Sequence, residues 1–391
     1  MEIVHYLNPA DQKWNPIPGI PYEDSLGSQV SFFKGHDDWF RNFRADLVIV
    51  GVPEDRNGVD NRGCADSPDS IRRLLYGLRK FDTGLLLCDA GNIGGQGLND
   101  RYQALKEVTA WFLAKGTVVV VIGGTHELSF PLYTALQSLV GSVNLVVGDA
   151  MVDLDPANKD FSSRSWINRI TANQEGLTDL SLMGVQNYLM SPQQEDYIKE
   201  RHFEILRLAD LRGSNIARAE VSLRDAHFVS LDLRVVKNHR QFSDQVLSPH
   251  GLESYEACQI SRYAGLSDQL KLFGLFEVPA QKEDTDTSHV LAAEIIWHFI
   301  DGFLNRYEDY PVRTLEEYKY HVVQLEELGE GLSFYQNPVN GRWWMEVPSD
   351  NGKRVVACAY DDYRKTLRKE LPEKWWRYFL KSKGASFENE Y

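Results

Sequence analysis

Cysteine is scarce in this sequence of 391 residues, and no two cysteines stand at short spacing. A CxxC pair, which zinc sites and redox centres often use, does not occur. Reduced and mostly buried thiols are therefore predicted, and neither a zinc site nor a disulfide framework is expected. The cysteines are Cys64, Cys88, Cys258 and Cys358.

Long apolar runs are also missing. No window approaches 18 uncharged apolar residues, which argues against a membrane-spanning helix. Residues 1–24 lack a basic start followed by an apolar stretch, so we expect no secretory signal peptide. Together these absences predict a cytoplasmic location.

The third absence is an excess of positive charge. The formal net charge is −14 at pH 7, whereas proteins that bind nucleic acids present a basic face. An anionic membrane surface attracts basic segments in the same way. We therefore expect neither nucleic acid nor membrane as a partner, and we interpret the acidity as a feature that favours solubility.

Short apolar runs alternate with amphipathic stretches from residue 45 to residue 307. Runs rich in β-branched residues predict buried strands, and apolar positions at helical spacing predict helices between them. This alternation predicts an α/β fold with a doubly wound, mainly parallel sheet and helices on both faces. The predicted strands are residues 45–53, 83–91, 117–124, 143–150, 180–186, 203–210, 226–233 and 270–278, and the main predicted helices are 67–81, 100–116, 129–141 and 286–307.

The character of the chain changes near residue 310. We predict a domain over residues 1–310, which begins with an irregular arm, and a small α+β extension over residues 311–391. The extension holds as many basic as acidic residues and four of the nine tryptophans. Its stretch 340–360 predicts a hairpin around SDNGK. So much aromatic area needs a surface, and docking onto the protein's own core is favoured over an interface for a partner protein.

Metal-competent or charged side chains follow four of the predicted strands. The carboxyl ends of parallel strands meet at one edge of a sheet, where ligands bind in this class of fold. We therefore expect these side chains to form one site, although each short motif is weak by itself. They are His126 in VVVVIGGTHE, Asp149 and Asp153 in VVGDAMVD, Asp232 and Arg234 in FVSLDLR, and Glu277 in LFGLFEVP.

The order and spacing of these motifs resemble a known family. GGTHELSF, GDAMVDL, SLDLR and LFEVP are similar to the motifs of the ureohydrolase superfamily, which includes arginase, agmatinase and formimidoylglutamase. The resemblance covers about residues 45–305, and the stretches 161–170 and 182–188 look most like formimidoylglutamase. It implies a cytoplasmic, usually oligomeric α/β protein with two manganese ions. In the family these ions share a hydroxide that attacks a guanidino or formimino carbon.

Transferred residue by residue, the family motifs imply a complete site for one ion. Carboxylates and imidazole suit a hard divalent ion, so one manganese or other divalent ion is the expected cofactor. Glu277 would anchor the cationic carbon group of the substrate. Thr125 departs from the family pattern, because it stands where the motif GGDH has an aspartate. The implied ligands are His126, Asp149, Asp153 and Asp232.

The second ion of the family is not expected, because two of its ligand positions hold Met151 and Arg234. A thioether is too soft a ligand for manganese, and Met151 is interpreted as a packing residue. A guanidinium is permanently charged and cannot bind a metal. We hypothesise that Arg234 replaces the second ion and reaches Asp149, Asp232 or Glu277.

The charges of the predicted site require compensation. Four carboxylates and Arg234 leave a formal charge of −3 when His126 is neutral, and like charges this close cannot all remain ionised unaided. One bound divalent cation, protonation of some carboxyl groups, or a basic C-terminal segment folded over the site would each supply it. The sequence leaves these three open.

Two functions follow from the sequence. The favoured one is a non-catalytic relative of the ureohydrolases, a scaffold or regulatory pseudoenzyme that has lost dinuclear manganese hydrolysis. The alternative is a single-metal hydrolase that cleaves a C–N bond of a guanidino or formimino compound, with Glu277, Asp153 and Arg234 carrying the chemistry. The expected partners are such a small ligand, further copies of the chain in a homo-oligomer and, as the weaker alternative, a protein bound by residues 311–391.

Overall fold

The fold is taken from a computed structural model, which describes residues 3–157, 160–172, 176–237, 249–280, 287–311, 317–325, 330–349 and 352–387. Ten strands of the described chain form one sheet. They are β1 Leu7–Asn8, β2 Ser31–Phe32, β3 Leu47–Gly51, β4 Leu87–Ile93, β5 Val118–Ile122, β6 Val143–Gly148, β7 Leu177–Val185, β8 Glu204–Arg207, β9 Phe228–Asp232 and β10 Leu272–Phe276.

The strand order of this sheet is β1-β4-β3-β5-β10-β9-β6-β7-β8, with β2 also paired to β4. All described neighbours run parallel except β1 and β4, which are antiparallel. The chain returns to the middle of the sheet with β9 and β10, so β5, β10, β9 and β6 become neighbours. The predicted doubly wound, mainly parallel sheet is confirmed.

Two apolar layers cover the sheet, which explains why its strands read as continuous apolar runs. In β5, Val118 and Val120 belong to the hydrophobic cluster on one face. Val119 and Val121 belong to the cluster on the other face. Successive side chains of a strand point to opposite faces, so a strand covered on both faces must be apolar throughout.

Helices pack on these two layers. Among the described residues, no helix is both long and apolar enough to cross a lipid bilayer. The helices are α1 Asp38–Arg41, α2 Ser67–Leu75, α3 Leu98–Ala114, α4 Ser129–Val140, α5 Trp166–Ala172, α6 Pro192–Glu200, α7 Ala217–Arg224, α8 Ser254–Gly265, α9 Thr287–Leu304, α10 Tyr360–Leu367 and α11 Glu373–Phe387.

Helix α2 is shorter than the predicted helix over residues 67–81. It ends at Leu75 because the following backbone is used by the N-terminal arm. The carbonyl of Gly77 accepts a hydrogen bond from the Ile17 N–H (3.1 Å), and the carbonyl of Leu78 accepts one from the Leu26 N–H (2.7 Å). Bonds to such a distant segment leave no local signal in the sequence.

The N-terminal arm is more regular than predicted, because it adds β1 and β2 to the sheet. Gly91 in β4 shows how close the arm lies. It has a φ of +80°, and a Cβ there would stand 2.1 Å from the carbonyl oxygen of Asn8. Only glycine fits this combination of left-handed backbone and close approach.

The C-terminal extension contains a four-stranded antiparallel sheet with the order β11-β12-β13-β14. Its strands are β11 Lys319–Leu325, β12 Glu330–Gln336, β13 Trp343–Ser349 and β14 Gly352–Cys358. The predicted hairpin corresponds to β13 and β14, which pair from Trp343↔Cys358 to Ser349↔Gly352. Strands β11 and β12 were not predicted. Strand β11 exposes four of its seven residues, and the burial of β12 depends on its pairing with β11 and β13.

The extension docks onto the core through buried polar groups. The Arg224 guanidinium donates to the carbonyls of Trp343 (3.0 Å) and Cys358 (3.1 Å). The Asp225 carboxylate accepts from the Ala357 N–H at 3.0 Å. These contacts agree with the predicted docking of the extension onto the protein's own core. The domain boundary at residue 310 and a partner protein for residues 311–391 both stay predictions.

The tryptophans of the extension are mostly buried by this arrangement. Trp343, Trp344 and Trp375 are buried, whereas Trp376 is 45% exposed. Trp343 and Trp375 share a hydrophobic cluster of the extension, and Trp344 packs in a smaller cluster that includes residues of the core. The aromatic area is therefore used mainly within the chain itself.

Asp179 anchors α11 to the core. Its carboxylate contacts Lys381 Nζ and lies 3.4 Å from Arg377 Nη1. Arg377 also reaches Glu204 at 3.2 Å. Burial raises the pKa of Asp179, but Lys381 and Arg377 outweigh burial and lower this pKa from 3.8 to about 2. The pairing therefore stabilises the ionised form of Asp179.

We expect Asp179 to contribute to the pH dependence of the free energy of unfolding. A carboxylate whose pKa is lowered by folding stabilises the fold above its unfolded pKa and loses this effect as the pH falls through the folded pKa. Between about pH 5 and pH 2, the wild type should lose about 2 kcal/mol more than an Asp179→Asn variant. Urea unfolding followed by tryptophan fluorescence measures this, and identical pH dependence of the two proteins would contradict it.

Candidate metal centre

The candidate site lies where four neighbouring strands end. β5, β10, β9 and β6 are adjacent in the sheet, so the side chains that follow them meet at one edge. The structure brings together every residue predicted for the site. They are His126 after β5, Glu277 after β10, Asp232 at the end of β9, Arg234 just beyond it, and Asp149 and Asp153 after β6.

The His126 ring faces three carboxylates. Its Nδ1 lies 2.9 Å from Asp153 Oδ2, 3.4 Å from Asp232 Oδ2 and 3.6 Å from Asp149 Oδ2. The four residues are buried, and one ligand atom of each lies within 4.8 Å of the others. An imidazole nitrogen can donate one hydrogen bond at most, so it cannot satisfy three carboxylates.

The other ring nitrogen of His126 is held by serine hydroxyls. His126 Nε2 lies 2.9 Å from Ser230 Oγ, and Ser230 Oγ lies 2.7 Å from Ser129 Oγ. When Nε2 carries the proton and donates it to Ser230, the Nδ1 lone pair faces the carboxylates. This tautomer is the one that binds a cation through Nδ1.

Two buried carboxylate oxygens of the site have no hydrogen-bond partner. They are Asp149 Oδ2 and Asp153 Oδ1, whereas Asp153 Oδ2 accepts from Trp166 Nε1 at 3.1 Å. Leaving a buried charged oxygen unpaired is costly. A divalent cation held by His126 and the three aspartates would offset this cost, so the donor set fits the metal that the sequence implies.

The crowding of negative charge also appears in the titration of the site. Burial, followed by the neighbouring Asp232 and Asp153, raises the pKa of Asp149 from 3.8 to about 7. Burial lowers the pKa of His126, but the three neighbouring carboxylates outweigh burial and raise this pKa above its ordinary value. Both shifts show that the cluster favours an additional positive charge.

Arg234 lies inside this cluster and is only 6% exposed. Its Nε donates to Asp232 Oδ2 at 2.8 Å, and its Nη2 contacts the same carboxylate. Nη2 also lies 3.9 Å from Asp149 Oδ2 and 3.8 Å from Asp153 Oδ2. The guanidinium therefore faces the same three Oδ2 atoms as His126 Nδ1, and its replacement of a second ion stays a hypothesis.

Met151 packs against a second arginine. Its sulfur contacts Arg164 Nη1, and Arg164 pairs with Asp60 through Nε at 2.6 Å. Arg164 Nη1 also lies 3.8 Å from Asp153 Oδ1. A thioether and a second guanidinium thus lie beside the carboxylate cluster.

Glu277 is held in an unusual backbone conformation with a φ of +57°. A non-glycine residue in the left-handed region costs of order 1–2 kcal/mol, which other contacts must offset. Its Oε1 accepts from the His126 N–H at 2.9 Å, and its Oε2 accepts from Asn61 Nδ2 at 3.0 Å. Arg234 Nη2 remains 3.9 Å from Oε1.

Thr125 does not contribute to the carboxylate cluster itself. Its hydroxyl donates to Glu127 Oε1 at 2.8 Å, and Glu127 Oε1 also accepts from Tyr102 OH at 3.1 Å. Thr125 therefore supports the turn that carries His126. The family motif has an aspartate at this position, and the Thr125 hydroxyl supplies no negative charge in its place.

Sequence reasoning missed Arg164 and Asn61. Arg164 lies in the stretch 161–170 that resembles formimidoylglutamase. Its charge within that motif could have indicated a place near the site. Asn61 lies in a glycine-rich stretch and meets Glu277, 216 positions away. No local pattern could have indicated that contact.

Comparison with known protein families gives a match to the arginase family over residues 45–301. Among curated proteins, formimidoylglutamase of Halobacterium salinarum is 24% identical over 307 residues, which cover 74% of this chain and 97% of that protein. Mitochondrial agmatinase of Gallus gallus is 27% identical over 178 residues, which cover 41% of this chain and 51% of that protein.

Solved structures show the same fold. Formiminoglutamase of Trypanosoma cruzi with Mn2+ superposes with a TM-score of 0.62 at 22% identity, covering 67% of this chain and 94% of that one. Formimidoylglutamase of Bacillus subtilis superposes with a TM-score of 0.64 at 17% identity, covering 78% and 98%. At these identities the likeness establishes the fold.

Removing the Arg234 charge should destabilise the fold when no divalent cation is supplied. An Arg234→Met variant keeps most of the side-chain volume but leaves buried carboxylates unpaired, and we expect a loss of about 3–5 kcal/mol in the free energy of unfolding. Added manganese should restore more stability to this variant than it adds to the wild type. Chemical denaturation with chelator and with manganese measures both effects.

Arg79→Met is the matched control, because Arg79 forms an exposed pair with Asp82 and exposed pairs contribute little. Its stability should equal that of the wild type. A loss in the Arg234 variant no larger than in this control would show that Arg234 does not neutralise the cluster.

Proposed function

Because the chain belongs to the arginase family, we propose that it hydrolyses a C–N bond of a formimino or guanidino compound with one divalent cation. The observation that carries the proposal is the buried donor set of His126, Asp149, Asp153 and Asp232, whose ligand atoms lie within 4.8 Å of one another. Two unpartnered carboxylate oxygens in this set support a cation there.

These four residues would hold the ion, and manganese is proposed because the similar Trypanosoma cruzi formiminoglutamase structure contains it. A divalent cation at this position would supply Lewis-acid activation of water at neutral pH. Four carboxylates and Arg234 leave three formal negative charges when His126 is neutral. One divalent ion would reduce this excess strongly, whereas a second would have to approach the Arg234 guanidinium.

The residues around the ion would orient the substrate, hold the imidazole and neutralise charge. Glu277, with both oxygens held by donors, would orient the cationic carbon group of the substrate. Asp153 bridges His126 and Trp166 and would keep the imidazole in place. Arg234 would take over the neutralising role of the second family ion without its ability to activate water, so slow hydrolysis is expected.

A non-catalytic scaffold remains the second candidate, and one observation favours it. Arg234 already contacts both oxygens of Asp232, which would stabilise the fold without any metal. The comparisons give no support to a loss of activity, so the sequence-based preference for a pseudoenzyme is not retained. The cytoplasmic location, the homo-oligomer and a partner for residues 311–391 also remain proposals.

Metal analysis of purified protein together with a product assay tests the proposed function. After dialysis, the wild type should retain one equivalent of manganese and release formamide from a formimino compound or urea from a guanidino compound. An Asp149→Asn variant should lose both properties, whereas an Asp82→Asn control at the exposed pair with Arg79 should keep them. A wild type that retains no metal and hydrolyses neither class would support the scaffold.

Restoring the family ligands should recruit a second ion. A Met151→His, Arg234→Asp double variant supplies the imidazole and the carboxylate that the family motifs contain, so two equivalents of manganese are expected. Met151→His alone should bind one, because the Arg234 charge still repels a second cation. If the double variant binds no second ion, the correspondence of these positions to the family motifs is wrong.

A further inference from the structure

We infer that Asn61 is a positioning residue that keeps Glu277 available to a substrate instead of paired with Arg234. The inference rests on the proposed function, in which Glu277 receives the cationic carbon group of the substrate. Arg234 poses a problem for that role, because a guanidinium and a carboxylate buried side by side normally form a direct ion pair.

In the structure, Arg234 and Glu277 do not form a direct hydrogen bond. Arg234 Nη2 lies 3.9 Å from Glu277 Oε1, which is beyond hydrogen-bond distance. The same Nη2 contacts Asp232, and Arg234 Nε lies 3.0 Å and 2.8 Å from the two oxygens of that carboxylate. The guanidinium is thus committed to Asp232, and Glu277 keeps free acceptor capacity next to it.

Two donors hold the Glu277 carboxylate in this position. The His126 N–H donates to Oε1 at 2.9 Å and Asn61 Nδ2 donates to Oε2 at 3.0 Å. The first donor is backbone, so the side chain of Asn61 is the one that a substitution can remove. Asn61 is itself only 4% exposed, and solvent cannot readily replace its amide.

Two hydrogen bonds hold the segment around Asn61 in place. Gly63 N–H donates to Asp55 Oδ2, and the Ser67 hydroxyl donates to the Val278 carbonyl at 2.8 Å. Val278 directly follows Glu277, so the Ser67 bond joins the segment after Asn61 to the chain next to the carboxylate. Asn61 therefore presents its amide from a rigid support.

Substitution of Asn61 tests the inference with two readouts. In Asn61→Ala the freed carboxylate should turn to Arg234, and a crystal structure should show Nη2 within about 2.9 Å of Glu277. The KM for the amidine substrate should rise about tenfold, while kcat changes less than about threefold. Asn61→Asp keeps the shape of the side chain but repels Glu277, so it should raise the KM further. This second variant tests the inference even when the alanine variant does not fold.

Asn57→Ala is the matched control, because Asn57 lies in the same loop and donates to Tyr102 OH at the same distance of 3.0 Å. It should leave the Arg234–Glu277 distance and the KM unchanged. An Asn61→Ala structure in which Nη2 stays 3.9 Å away would overturn the inference, as would an unchanged KM. If the wild type hydrolyses no amidine, the proposed function fails, and the crystallographic distance still decides the role of Asn61.

Discussion

Concentration of buried negative charge is the constraint on which this site depends. Asp149, Asp153, Asp232 and Glu277 are each at most 1% exposed, and they meet because the three adjacent strands β10, β9 and β6 end at one edge of the sheet. Such a cluster is stable only with positive charge among its oxygens. Arg234 supplies one such charge, and the geometry around His126 Nδ1 suits a divalent cation as the next.

Two of the three departures from the family pattern, Met151 and Arg234, bear on the proposed number of ions. In the proposed correspondence, Met151 and Arg234 stand at ligand positions of a second ion, and the charge of Arg234 would oppose that ion. Arg164, packed against the Met151 sulfur and near Asp153, adds a further positive charge on the same side. This arrangement supports the proposed centre for one ion, because a second ion would have to approach two guanidinium groups.

Much of this could be predicted from the sequence, because the signals were local. Apolar runs such as Val118–Ile122 marked the buried strands, and the rule for strand ends placed His126 and Asp232 in one site. Contacts between distant segments could not be predicted. The end of α2, the strands of the arm and the approach of Asn61 to Glu277 all depend on such contacts. The position of Arg234 followed from its chemistry, whereas its spacing from Glu277 required the structure.

Anomalous diffraction at the manganese edge, from crystals grown with an excess of the ion, tests the central claim most directly. The account predicts one peak among His126 Nδ1 and the carboxylates of Asp149, Asp153 and Asp232, with the Arg234 guanidinium resting on Asp232 beside it. Two peaks in the cluster, or an Arg234 side chain turned toward solvent, would contradict it.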